Sequence, residues 1–130
     1  IKIINNIRLS KQAHENIAKL IEILQNDDLE PFIQIIESEA LTLHSMMMTS
    51  MPYFILMKPN TLEIIQKIWN FRQKTNLPVG FTLDAGANVH LLYPEKIKQE
   101  VHLFITNELQ QHCQNNHFIH DFVGDGGRLF

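Results

Sequence analysis

Apolar residues return at intervals of three and four along most of this chain, and cluster in short runs between residues 78 and 93. Ala13, Ile17, Leu20, Ile21 and Leu24 make the first stripe. It predicts a helix capped by Ser10 and stopped by Gln25-Asn26-Asp27-Asp28. Ahead of it, Ile1, Ile3, Ile4 and Ile7 surround Asn5 and Asn6, as in a short strand or a connection from a preceding domain. A second helix is expected from an Asp28 cap, with Pro31 tolerated in its first turn. Phe32, Ile36, Ala40, Leu43 and Met47 share one face of it, while Glu30, Glu37 and Glu39 read as solvated. Met46, Met47, Met48 and Met51 read as fillers of irregular core gaps. Pro52 to Pro59 is a loop too apolar to be fully exposed.

Asn60 or Thr61 caps a third helix, with Glu63 in a capping-box position. Leu62, Ile65, Ile68 and Trp69 form its apolar face, and Lys74-Thr75-Asn76 ends it. Two strands follow, Pro78 to Leu83 and Val89 to Tyr93. Pro94 and Glu95 suit the first turn of a fourth helix, with Ile97, Val101, Phe104, Ile105 and Leu109 inward. Phe118 to Val123 reads as a last strand. Helices before and among a few adjacent strands place the chain in the α+β class, with about four helices on one face of an antiparallel sheet.

Composition narrows the function classes. The 130 residues fit one domain, and 45% hydrophobic with 19% charged residues is the balance of a folded protein. A net charge of −3 without a basic patch argues against nucleic acid and anionic lipid as partners. No run reaches the length of a membrane span. The single Cys113 excludes an internal disulfide and suits a reducing compartment, the cytoplasm. The chain opens at Ile1 rather than Met, so function is expected to need residues that precede it.

One stretch carries candidate chemistry. A strand ending at Leu83 delivers Asp84 onto Ala85-Gly86-Ala87-Asn88, and a second strand starts at Val89. Gly86 can take positive φ, and Asn88 tolerates it. A strand end holds a reactive carboxylate with little freedom. The plainer reading is a turn whose Asp bonds its own backbone. His112, Cys113, His117 and His120 lack the spacing of a zinc set, so no metal site is expected. His44 and His90 read as structural. Gly124-Asp125-Gly126-Gly127 lacks the Lys-Ser/Thr of a phosphate loop and reads as a flexible end. Neither a nucleophile–base pair nor a dinucleotide fingerprint is visible.

Thr82-Leu83-Asp84-Ala85-Gly86-Ala87-Asn88-Val89-His90 closely resembles the Asp-Ala-Gly-Pro-Asn segment of the diphosphomevalonate decarboxylases, a family of the GHMP kinase superfamily. Glu37 to Ser45 resembles that family's helix ending in a Met/Leu-His-Ala/Ser step, and Met57-Lys58-Pro59-Asn60-Thr61 fits as well. The likeness covers roughly residues 10 to 125, in order and at similar spacing. Ala87 departs from the pattern, standing where many members have Pro.

The resemblance implies the C-terminal domain of a two-domain enzyme, with a ferredoxin-like variant of the fold. It implies that the intact enzyme uses ATP and Mg2+, bound mainly by an N-terminal domain, to convert mevalonate 5-diphosphate to isopentenyl diphosphate in isoprenoid biosynthesis. Asp84 falls on the family's catalytic aspartate, with Ala85 and Gly86 beside the substrate. The partners implied are that substrate and the chain's own N-terminal domain, and a homodimer is compatible. The glycine-rich ATP loop is absent here, so these residues alone are expected not to catalyse. A related small-molecule kinase, a phosphomevalonate-type decarboxylase and a non-enzymatic α+β binding module stay open beside this reading.

Overall fold

A single β-hairpin makes up the sheet among the described residues, and helices hold it from the sides. The computed structural model describes residues 2–26 and 28–124. In chain order come α1 (Lys2–Asn26), α2 (Leu29–Thr49), α3 (Pro59–Thr75), β1 (Gly80–Leu83), β2 (Val89–Leu92) and α4 (Lys98–Phe104). A 3-10 turn, Glu95–Ile97, leads into α4 and a π turn, Ile105–Leu109, prolongs it. The class is α+β as expected, with β1 and β2 antiparallel and Thr82 opposite His90. Among the described residues no helix is long and apolar enough to cross a membrane.

The hairpin buries one face. Phe81 and Leu83 of β1 join Val79, Ile65, Ile68, Ile97, Val101, Phe104, Ile105 and Leu109 in the core. Complete burial of a side chain such as Phe81 is worth about 1.5–3 kcal/mol. Phe71 stacks on Phe104 with ring centres 4.1 Å apart, joining α3 to α4. The π turn keeps Ile105 and Leu109 inward after Val101, so all five expected apolar positions of this segment are buried. Asn76 ends α3 in the left-handed region at φ 59°, where Asn is tolerated.

Helix α2 lies along β1. Ile33 sits at Gly80, where an added Cβ would stand 2.9 Å from Ile33 Cγ1. Eleven residues later His44 sits at Asp84. Eleven helical steps rise about 16 Å and four strand steps about 13 Å, so the two elements keep pace. The buried stripe is therefore Ile33, Glu37, Ala40 and His44, rotated from the expected line through Phe32, Leu43 and Met47. Leu43 is exposed. Asp28 precedes α2 but makes no side-chain cap bond.

Glu37 is not solvated as expected. It is buried and binds Arg72 through both oxygens, Nη1 to Oε1 at 2.7 Å and Nη2 to Oε2 at 3.1 Å. Trp69 donates its indole N–H to Oε2 at 3.0 Å, and Arg72 Nη1 also donates to the Val79 carbonyl at 2.8 Å. A buried carboxylate is tolerated when its lone pairs are filled in this way. The partners come from α3, 32 and 35 residues further on.

Four further expectations fail. From Lys2 on, the segment to Leu9 is helical, and Ser10 is interior to α1 rather than its cap. With no Gly or Pro between Lys2 and Asn26, a nucleated helix propagates through. The stripe on α1 is not buried: Ile17 is 58% and Ile21 56% exposed, although α1 packs on α2, where Asn16 donates to Glu39. Phe118 to Val123 forms no strand. It pairs with neither β1 nor β2, and Val123 is 96% exposed. The third helix begins at Pro59 rather than behind an Asn60 or Thr61 cap. Asp27, Asp125, Gly126 and Gly127 lie outside the described residues.

Candidate functional site at the hairpin loop

Leu83 pairs with Val89, which leaves Asp84 to Asn88 as the loop. Its backbone is fastened at both ends by helices. His44 of α2 places Nε2 2.9 Å from the Asp84 carbonyl oxygen. A carbonyl only accepts, so this nitrogen carries the hydrogen. Thr61 of α3 donates its hydroxyl to the Ala87 carbonyl at 2.8 Å and accepts the Lys58 N–H at 3.1 Å. His44 and Thr61 are each 2% exposed. Between these anchors the Gly86 N–H closes on the Asp84 carbonyl at 2.7 Å.

The Asp84 side chain points away from this scaffold. It is 87% exposed, and among the described residues it has one close side-chain partner, His90, with Nε2 3.3 Å from Oδ2. No backbone N–H of the turn donates to the carboxylate. The plain reading of Asp84 as a residue that bonds its own turn has no hydrogen bond to support it. What holds the turn is its backbone, and the acid is left over.

Gly86 does not take the left-handed conformation, nor does Asn88; Asn76, Asn115 and Asn116 do. A Cβ added to Gly86 would meet nothing within 4 Å. The fold therefore does not demand glycine there, and the space over Ala85 and Gly86 opens to solvent. The loop presents a carboxylate beside a low, close-approachable backbone. Such a group can accept a hydrogen bond or a proton from a ligand hydroxyl.

The sequence singled out Asp84, Ala85 and Gly86, and the structure puts them side by side on one exposed turn. His44 and His90 both touch Asp84, one at its backbone and one at its side chain. Thr61 was missed as an anchor; its only signal was a hydroxyl in the first turn of a helix. The residues from His112 to His120 do not converge. His120 pairs with His102 at 3.2 Å, and Cys113 turns its sulfur to the Leu109 carbonyl at 3.6 Å. Burial pushes the Cys113 thiol up from its ordinary value. Between α2 and α3, the helices that anchor the loop, Met51, Tyr53, Phe54 and Ile55 are exposed.

A family model described as the mevalonate 5-diphosphate decarboxylase C-terminal domain matches residues 4–125. The chain belongs to that family. The match reaches further toward the start than the likeness legible by eye. Among solved decarboxylases, the mevalonate diphosphate decarboxylase of Legionella pneumophila is 31% identical with a TM-score of 0.72, over 77% of this chain and 32% of that one. The Staphylococcus aureus enzyme is 26% identical with a TM-score of 0.66, over 71% and 28%. The mevalonate pyrophosphate decarboxylase of Streptococcus pyogenes is 25% identical with a TM-score of 0.69, over 75% and 31%. No curated protein matches. This decarboxylase domain thus spans roughly 30% of the length of the solved relatives it matches.

Proposed function

We propose that this chain is the C-terminal domain of a two-domain, ATP-dependent mevalonate diphosphate decarboxylase, with Asp84 as its catalytic carboxylate. The observation that carries the reading is an anchored backbone bearing a free acid. His44 and Thr61 hold the loop, while the Asp84 carboxylate is open to solvent and unused by the turn. Family membership supplies the reaction class. One structural relative is a complex with MVAPP, and another is a complex with MVAPP, AMPPCP and magnesium.

In this reading Asp84 accepts a hydrogen bond from the substrate's tertiary hydroxyl, orients its oxygen and takes its proton. A carboxylate is a far weaker base than an alkoxide, so early proton removal would be steeply uphill. A loose phosphoryl-transfer transition state avoids the difficulty, because little bond to the hydroxyl forms before the γ-phosphoryl is nearly free, and the proton leaves late. Orientation is then the larger share of the carboxylate's work. Once that proton has passed to solvent, the restored negative charge also favours positive character at the neighbouring carbon as CO2 departs. Ala85 and Gly86 let substrate approach the backbone.

The residues described here do not fit a nucleotide or its magnesium. Among the described residues no lysine or arginine pairs with Asp84, and no glycine-rich phosphate loop is present in the sequence. The proposal assigns ATP, Mg2+ and the grip on the substrate's diphosphate to a domain outside this chain. Exposed apolar residues, Ile17 and Ile21 on α1 and Met51 to Ile55 beside the loop anchors, are the kind of surface that such a domain would cover.

The test is Asp84→Asn in the natural protein at full length. The variant keeps shape and much of the hydrogen bonding but cannot take the proton. We expect kcat to fall by roughly 10²–10⁴, with KM changed much less and the melting temperature unmoved. Near-normal turnover would end the assignment.

A further inference from the structure

The imidazole that meets the Asp84 carboxylate, that of His90, is supplied by the sheet register rather than by the turn. Thr82 stands opposite His90 across the hairpin. Side chains two apart on a strand share a face, so Asp84, just past the strand end, continues the Thr82 face. That places it diagonally from His90, a separation that long side chains span. The contact is realised: His90 Nε2 lies 3.3 Å from Asp84 Oδ2. Val89 and Leu91, on either side of His90, face the other way and pack against the core. A slip of one residue would turn His90 inward, so burial of its neighbours fixes the pairing.

We propose that His90 is a positioning residue for Asp84, holding Oδ2 so that Oδ1 is presented to the substrate hydroxyl. The inference rests on the assignment of Asp84 made above. At 87% exposure an unrestrained aspartate samples several rotamers, and only one suits the reaction. A partner that narrows this choice beforehand spares the transition state that ordering. His44 cannot supply it, because it acts on the backbone oxygen and leaves the side-chain torsions free. His90 can, because it contacts the carboxylate itself and is carried by a strand whose inward neighbours are fixed. No proton or atom changes hands between the two residues.

The experiment uses the natural full-length protein, with His90→Ala, His90→Gln, Asp84→Asn and the Asp84→Asn/His90→Ala double variant. His90 is itself half exposed, so His90→Ala should fold, and thermal melting checks that it does. His90→Ala is expected to lower kcat by about tenfold, less than the ~10²-fold that gross misplacement costs. KM for the diphosphate substrate should stay within about twofold, because positioning acts in the transition state. His90→Gln, which keeps an N–H donor at similar reach, should recover most of the loss. In the Asp84→Asn background His90→Ala should cost nothing further, since the group it positions no longer functions. A His90→Ala kcat within about twofold of wild type overturns the proposal. So does a loss that persists undiminished in the Asp84→Asn background, or a Gln variant no better than Ala. If Asp84→Asn is impaired and His90→Ala is not, the role of His90 fails alone; if Asp84→Asn turns over normally, the assignment of Asp84 fails and this inference with it.

Discussion

His44 on α2 donates to the main-chain carbonyl of Asp84 at 2.9 Å, across 40 residues of sequence. The histidine is almost wholly buried, and the residue it holds is almost wholly exposed at its side chain. The fold thereby spends a core hydrogen bond on the backbone of its most accessible acid.

His44→Leu comes close in volume but removes the donor. The Asp84 carbonyl retains the Gly86 N–H, so the loss should be that of one hydrogen bond, about 0.5–1.5 kcal/mol by urea unfolding. His44→Ala adds a cavity and should cost about 2–5 kcal/mol, the range of large buried truncations. Equal costs for the two variants would mean that the cavity adds nothing, and no cost in the first variant would mean that the hydrogen bond contributes nothing.

Two glycines should respond in opposite directions to alanine. At Gly80 the new Cβ meets Ile33 Cγ1 and Cγ2 at 2.9 and 3.0 Å and its Cβ at 3.3 Å, so helix and strand must part. We expect Gly80→Ala to destabilise by about 1–3 kcal/mol. At Gly86 the Cβ meets open space, and Gly86→Ala should stabilise by about 0.4–1 kcal/mol through the unfolded chain. Thermal melts of the two variants side by side decide the matter. If Gly86→Ala also impairs turnover at full length, the open space is substrate space.

Glu37→Gln should lower stability by about 1–3 kcal/mol, since a buried site built for a carboxylate then offers an amide to the Arg72 guanidinium. Chemical denaturation measures it. A neutral outcome would place the weight on Trp69 and on the bond from Arg72 to Val79.

Cys113 should react slowly with iodoacetamide near neutral pH. Burial raises its thiol above the ordinary range, so the thiolate that attacks is scarcer than for a free cysteine. The rate should climb as pH rises through that elevated value, and unfolding in urea should abolish the delay. A fast native reaction would show that the sulfur is not shielded.

Much of this arrangement was legible because it is local. The spacing of Ile97, Val101, Phe104, Ile105 and Leu109 named the buried face correctly even though a π turn interrupts the helix. Phe81 and Leu83 alternate with Thr82, and the small residues after Asp84 marked the hairpin loop. What misled was set by distant partners. Glu37 reads as surface until Arg72 and Trp69 arrive from the next helix. Phe118 to Val123 has a strand's composition yet pairs with neither β1 nor β2. The stripe on α1 satisfies every rule of periodicity, yet periodicity cannot say whether a covering surface lies within this chain. The loop itself was read as chemistry from its composition, whereas its anchors lie 40 and 26 residues away in sequence from the points they hold.

The hairpin loop is moored to two helices at once, to α2 through His44 and to α3 through Thr61. It therefore behaves as a gauge of their spacing. Sliding α3 along α2 pulls the Ala87 end of the loop against the Asp84 end, and the acid turns with it. A partner that presses on the far side of either helix can retune the carboxylate without coming near it.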